Sequence, residues 1–456
     1  MKQLYTTLAL LVVVAGIGGW IYFNERGPVS QTGNTVLLRI LPQNVQTLVI
    51  EPASQQRLEI TRNKDGWQVQ RVGTQSVSVP ADSDIVDALL DATQLLESPA
   101  VVEANDASKL AEFGLERPSS TLIINDAKIE FGKKPSFDAT AIYARVTSSS
   151  KPQITLLPVN IAELVDRPFS DWRDKAALRV KAEDTTELKV NAPAIKASFE
   201  RIFKGGDGEP DQWLMKTPVE DRADAGAIRV LFDQLAQTKT PQFLEDNPQN
   251  LVKWGLDKPV ADVEVTTAGV KNSLRIGKVV PGGRAAQNSI SRVVFVVPET
   301  VLDLLSRPHR NWRDKQILRF STQDVQSMKV TARGKAVSLR YDGKGWGLSD
   351  GDKPANTAGV PQAAIDILVG LQGLTAQDFI NQLKDLKAYG LDKPALQVEL
   401  QSGDWNAPKI LQLGSAGGKV YARVAETGDY KATVYVLPST SLESFKLALD
   451  ALVGKL

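Results

Sequence analysis

Short runs of alternating apolar and polar residues dominate the chain beyond residue 40. Thr47-Leu48-Val49-Ile50, Leu58-Glu59-Ile60 and, after the turn Asn63-Lys64-Asp65-Gly66, Trp67-Gln68-Val69 put every second side chain on one face. That spacing predicts strands joined by a tight reversal. The same pattern returns where Gly206-Asp207-Gly208 leads to Trp213-Leu214-Met215 and Asp342-Gly343-Lys344-Gly345 leads to Trp346. A helical period follows each hairpin. Asp82 or Ser83 can cap the first helix, with Ile85, Leu89 and Leu96 inward, and Asp224 the second, with Ile228, Leu231 and Leu235 inward. The third starts at Pro361 with Ile365, Leu368 and Leu371 inward.

After each helix stands an aromatic, Gly-Leu, an acid, a base and a proline: Phe113-Gly114-Leu115-Glu116-Arg117-Pro118, Trp254-Gly255-Leu256-Asp257-Lys258-Pro259 and Tyr389-Gly390-Leu391-Asp392-Lys393-Pro394. The glycines suit a left-handed cap on a short helical turn, and the prolines forbid its continuation. Four short strands follow, the middle ones carrying Tyr143-Ala144-Arg145-Val146 and Tyr421-Ala422-Arg423-Val424. A closing helix then starts at Leu157-Pro158, Val297-Pro298 or Leu437-Pro438, which are 140 residues apart. The third closing helix is expected from Ser439 to Leu452. A period this long describes a tandem array of small domains, not a solenoid.

The opening of the chain reads differently. Leu4 to Phe23 is a run of twenty residues without a charge, roughly 30 Å as a helix, which is the hydrocarbon thickness of a bilayer. Leu4, Leu8, Leu11 and Val14 lie along its body, and Trp20, Tyr22 and Phe23 stand where an aromatic belt would lie. Val14-Ala15-Gly16 is a passable cleavage site, but the apolar run continues beyond it, which favours an uncleaved anchor. The expected fold class is therefore α+β: an N-terminal transmembrane helix followed by three tandem repeats of about 140 residues, each a hairpin plus helix and a mostly antiparallel sheet plus closing helix. The expected boundaries are 1–26 for the anchor and 27–180, 181–320 and 321–456 for the repeats.

Composition narrows the function classes. Fifty-four basic against 53 acidic residues leave +1, which gives no electrostatic footprint for nucleic acid. No cysteine is present, which removes disulfides, thiolate metal sites, cysteine nucleophiles and a lipoprotein's lipidated cysteine. His309 is the single histidine, and the first repeat has Phe169 in its place, so imidazole chemistry is not built into the position. Asp171-Trp172-Arg173-Asp174-Lys175 recurs as Asn311-Trp312-Arg313-Asp314-Lys315 at each junction between repeats. Arg173 and Arg313 can grip a carboxylate or phosphate bidentately. The plainer reading is that each tryptophan packs at a junction while the charges pair locally, and the lack of the motif after the last repeat favours it. Gly132-Lys133 and Gly277-Lys278 lack the remaining signature of a phosphate loop and read as turns. Asp207, Glu209 and Asp211 lack the terminal glutamate of a calcium loop and read as a solvated turn. No catalytic residue, metal site or cofactor is expected.

The Gly-Leu-Asp-Lys-Pro runs, the Ile-Gly-Lys or Leu-Gly-Ser turn, the Tyr-Ala-Arg-Val strand and the Val-Tyr-Val-Leu-Pro strand end resemble the bacterial domain-of-unknown-function family 4340. The resemblance covers nearly all of residues 40–456. It implies single-span proteins of the bacterial inner membrane with the bulk of the chain in the periplasm, some similar to auxiliary components of ABC-type transport or gliding-motility systems. No catalytic residue comes with it. The expected function is a non-enzymatic, membrane-anchored scaffold or accessory subunit that binds other envelope proteins, ABC-type transporter components among them, and not nucleic acid. The alternatives are a module binding a glycan or peptide near the Trp-Arg pairs and, behind it, a hydrolase using acids alone.

Overall fold

The computed structural model describes residues 35–454 except 53–54, 65, 74–75, 99–101, 104–106, 149–150, 206–210, 350–358, 384 and 426–430. It divides into two compact units, residues 1–175 and 176–456.

The first unit is built on one nine-stranded sheet. Its strand order is Val79–Pro80, Gly66–Arg71, Leu58–Asn63, Thr47–Pro52, Ser120–Ile124, Ala127–Phe131, Ala141–Ser148, Lys151–Pro158 and Val102–Glu103. Every neighbour is antiparallel. Thr35–Arg39 and Leu95–Ser98 form a separate two-stranded ribbon. The second unit holds two further sheets in the same topological order, of nine and eight strands.

The hairpin of each repeat does not stand apart from the later strands. Thr47–Pro52 pairs with Ser120–Ile124, Thr185–Ala192 with Ala261–Thr267, and Ser327–Ala332 with Leu396–Gln401. Alternation decides which face is covered. Leu48, Ile50, Leu58, Ile60 and Val69 are buried, and the helices Ser83–Thr93 and Val159–Val165 pack together over that face. The closing helix lies on the central strand pair itself. Burial of each such Leu or Ile stabilises the fold by about 1.5–3 kcal/mol. Asp82 and Asp224 cap their helices by accepting backbone N–H bonds from Asp84 and Ile85, and from Ala227.

Several expectations are corrected. The fold is sheet-rich, and the expected class, with an N-terminal transmembrane helix ahead of α+β repeats, does not hold. No helix among the described residues is long and apolar enough to cross a membrane. The longest of them, Val360–Gly373, has 14 residues, about 21 Å at the rise of an α-helix, and lies on a sheet. The single-pass inner-membrane location and the membrane partnership, with the envelope and transporter partners attached to it, lose their support with that span. The run from Leu4 to Phe23 itself, with Leu8, Leu11, Val14, Trp20 and Tyr22, lies outside the described residues. The first helix ends at Thr93, so Leu96 is a strand residue. Ile365, expected inward, is 45% exposed. The last helix starts at Lys446, after a short turn at Glu443–Phe445.

The Gly-Leu motif closes the opposite face of the sheet. Gly114, Gly255 and Gly390 have φ of +72°, +67° and +66°. The next residue's N–H reaches back to the carbonyl five residues earlier: Leu115 to Leu110 at 2.7 Å, Leu256 to Leu251 at 3.1 Å, and Leu391 to Leu386 at 3.0 Å. These are left-handed helix ends that satisfy orphan carbonyls. Each lies directly on a second glycine of the sheet. A Cβ on Gly132 would fall 2.2 Å from the Phe113 carbonyl oxygen, on Gly277 2.2 Å from that of Trp254, and on Gly414 2.4 Å from that of Gly390. The contact lets the following leucine enter a small second core, Leu256 with Ala285 and Val294, and Leu391 with Tyr389 and Val434. Pro118, Pro259 and Pro394 stand just before the next strand.

Gly277→Ala should therefore destabilise the second unit by about 1–3 kcal/mol or more, the cost of overpacking against rigid backbone. Gly269→Ala, at φ +79° with open space around it, should cost only the left-handed strain of about 1–2 kcal/mol. Urea unfolding of the two variants checks the order; equal midpoints would refute the glycine-on-glycine contact.

Candidate functional site

In the first two sheets the Trp-Arg motif pairs with the end of the edge strand through a single β-bridge, Ala81 with Arg173 and Ala223 with Arg313. In the first unit the Asp82 N–H donates to the Trp172 carbonyl and the Asp174 N–H to that of Pro80, both at 2.9 Å. Trp172 is fully buried, Arg173 is 6% exposed, and Lys175 pairs with Asp171 at 2.7 Å. Phe169 lies under the guanidinium groups of Arg71 and Arg173, at 4.1 and 5.5 Å from the ring centre, a stacking that stabilises a partly desolvated cation.

The second unit uses the same edge pairing, with Asp224 N–H donating to Trp312 and Asp314 N–H to Arg222. Trp312 is fully buried, packs on Phe199, and donates its indole N–H to the Arg307 carbonyl at 3.1 Å. Arg313 is also fully buried. Its guanidinium holds the Asp221 carboxylate through Nε and Nη2, donates to Asn381 Oδ1 at 2.7 Å and Thr433 Oγ1 at 3.2 Å, and lies 3.9 Å from the Phe379 ring centre. Asp221 belongs to the edge strand of the second sheet, whereas Phe379, Asn381 and Thr433 belong to the third sheet or its flanks. One side chain thus ties two sheets together. Around it Asp314 receives Arg319 at 2.8 Å and Arg222 at 3.4 Å, and Arg222 also donates to the carbonyls of Gln316 and Ile317.

This geometry uses the guanidinium internally. A desolvated cation needs both a counter-charge and donors filled, and Asp221, Asn381 and Thr433 supply them. His309, close by, has its pKa lowered by burial first and then by the positive charge of Arg313 and Arg310, with Asp378 pulling the other way. A second polar cluster escaped the sequence reading. Glu130, 5% exposed, bonds Arg145 across adjacent strands and Lys128 on its own strand. Burial pushes its pKa up, but these two cations outweigh that and hold it below the ordinary value. The signal was the register Arg145↔Glu130, which sequence alone does not reveal.

Of the other candidates, Gly277-Lys278, expected as a turn, lies inside the strand Val270–Val280, and Gly132-Lys133 follows the strand Ala127–Phe131. Gly132 and Gly277 are the sheet partners of the Gly-Leu caps. Asp211 accepts from the Gly205 N–H at 2.8 Å, while Asp207 and Glu209 lie outside the described residues. Among the described residues no three His, Asp or Glu side chains converge as metal ligands. A cleft of about 810 Å³ lies in the first unit, against the stacked rings of Phe113 and Tyr143 and the strand residues Ile154 and Leu156, with Asp138 and Asn160 also lining it.

The family described as Domain of unknown function (DUF4340) matches residues 72–209 and 213–394. No curated protein and no solved structure matches the chain.

Asp221→Ala would leave Arg313 buried without its counter-charge and should cost roughly 3–5 kcal/mol. Asp221→Ala combined with Arg313→Leu should recover a large part of that loss. Urea unfolding followed by tryptophan fluorescence measures both; a double variant no more stable than the single one would show that the ion pair is not what couples the sheets.

Proposed function

Because the chain belongs to the DUF4340 family, which carries no assigned chemistry, its role has to be argued from its own surfaces, and we propose that it is a non-enzymatic scaffold that binds other proteins. The observation that carries this reading is the use made of the Trp-Arg motifs. The side chains best suited to grip an anionic ligand are buried and spent on fixing sheet edges and, through Arg313, on holding two sheets together. Such a joint gives the second and third sheets one surface of fixed shape, and fixed shape lowers the ordering cost of binding a large partner. The outer sheet faces carry solvated polar rows such as Lys189 with Glu264 and Asn191 with Asp262, typical of one-sided antiparallel sheets.

A small-ligand reading keeps one specific support, the cleft beside Phe113 and Tyr143 in the first unit, because apolar concavities with a few polar groups are where small ligands bind. It no longer has a place at the Trp-Arg pairs.

Mild crosslinking in intact cells, followed by mass spectrometry of what copurifies with the full chain, tests the scaffold reading. The expected outcome is a reproducible partner set that falls off when Arg313→Ala loosens the joint. Recovery of the chain alone would overturn the reading and turn attention to ligand screening at the cleft.

A further inference from the structure

The cleft of the first unit has an aromatic wall that backbone bonds hold in place. The Lys133 N–H donates to the Phe113 carbonyl at 3.0 Å, the Tyr143 N–H to that of Lys133 at 3.1 Å, and the Gly132 N–H to that of Tyr143 at 2.8 Å. The rings of Phe113 and Tyr143 stack with centres 4.4 Å apart, and Ile154 and Leu156 continue the apolar lining. Asp138 supplies a carboxylate to this lining, and no Lys or Arg is among the described residues that form it. The Thr140 N–H and hydroxyl donate to Asp138 Oδ1 at 2.8 and 2.7 Å, which fixes the carboxylate and holds its pKa below the ordinary value. Asp138 Oδ2 and the Tyr143 hydroxyl have no hydrogen-bond partner among the described residues. The volume of about 810 Å³ falls in the range of small-ligand sites, roughly 300–1,000 Å³.

The second repeat shows what an aromatic ring at this place attracts. Trp254 stands where the first repeat has Phe113. The Lys253 ammonium lies 4.4 Å from its ring centre, and the Glu245 carboxylate accepts from Lys253 at 3.3 Å and from the indole N–H at 2.9 Å. An ammonium is thus held between an aromatic face and a carboxylate. The first repeat has Glu112 at the position of Lys253, and Tyr143 where the second has Ala285. It keeps the ring, adds a second one, and places no lysine of its own there.

We propose that the cleft binds a small organic cation: an ammonium group, paired with Asp138 and the aromatic wall, on an apolar body that lies along Ile154 and Leu156. Aromatic faces attract cations through the ring quadrupole, and a carboxylate fixed by Thr140 adds a counter-charge at no further ordering cost. A ligand of the same shape without the charge gains only the apolar contact, and an anion is repelled by Asp138. The inference rests on the small-ligand reading of the cleft and is independent of the scaffold reading.

Calorimetric titration of the purified full chain at neutral pH with phenethylamine, phenethyl alcohol and phenylacetate tests this, since the three share a ring and differ in charge. The amine should bind roughly tenfold tighter than the alcohol, the sum of a cation on an aromatic face and a half-exposed ion pair, and phenylacetate should bind weakest. Asp138→Asn, which keeps an Oδ1 for Thr140, should lower the affinity for the amine to that of the alcohol and leave the alcohol unchanged. Tyr143→Ala, the residue that the second repeat carries at this place, should weaken both. Unchanged urea midpoints show that the variants fold. Equal affinities for amine and alcohol, or amine binding untouched by Asp138→Asn, overturn the cation inference and leave the cleft as a site for a neutral ligand. No binding of any of the three, or binding that Tyr143→Ala leaves intact, overturns the inference together with the small-ligand reading. Neither outcome bears on the recovery of protein partners in cells.

Discussion

Each sheet depends on a place where two backbones touch with no side chain between them. The loop that leaves the first helix must deliver the next strand to the centre of the sheet, beside the strand that opened the repeat. Gly114 on Gly132, Gly255 on Gly277 and Gly390 on Gly414 set that path. The left-handed turn satisfies carbonyls that the short helix leaves open, and the close approach aims the following leucine into a second small core. Since φ is positive on the cap side and a Cβ on the strand side meets a carbonyl, neither glycine tolerates replacement without backbone movement. The strand pairing that unites the two halves of the sheet follows from where this contact puts the chain.

The junctions follow a different logic. Edge strands expose unpaired backbone groups and invite association, and in the first two sheets the Trp-Arg segment pairs along that edge. Arg313 joins two sheets, and its environment explains how a fully buried guanidinium is tolerated: a carboxylate, an amide, a hydroxyl and an aromatic face around it. A buried ion pair of this kind contributes less to net stability than to the uniqueness of the arrangement, because the desolvation cost offsets much of the attraction. The second and third sheets, which it joins, fall in one compact unit.

Features that repeat within the chain could be read from it. The alternating strands, the Asp82 and Asp224 caps and the left-handed glycines were all legible, because each is a local pattern with a local physical cause. Non-local facts were not. Asp221 stands 92 positions from Arg313, and nothing around it marks it as a counter-charge. The pairing of Thr47–Pro52 with Ser120–Ile124 joins segments about 70 positions apart, with a helix between them, so the hairpin looked like an independent layer when it is half of a sheet. Leu96 kept the helical period of the residues before it and is buried as expected, but from a strand that forms a ribbon with Thr35–Arg39. Ile365 shows the converse failure: apolar identity was taken as burial, which holds for most such residues but not for one placed on the outer face of a helix.

The same comparison separates architecture from function. Residues shared by all three repeats are those that the fold consumes: glycines in contact, leucines behind them, prolines at strand and helix starts. Whatever distinguishes this chain's interactions must lie where the copies diverge. Tyr143 and Tyr421 stand on their strands where the second sheet has Ala285, a difference that alters the outer face without disturbing the inner one. On the helical side Ile365 and Val369 stand where the other two first helices carry Asp87 and Arg229, and Asp91 and Asp233. Exposed large apolar groups run against solubility, so Ile365 and Val369, exposed by 45% and 58% and outside the core of their own sheet, are not accounted for by the fold.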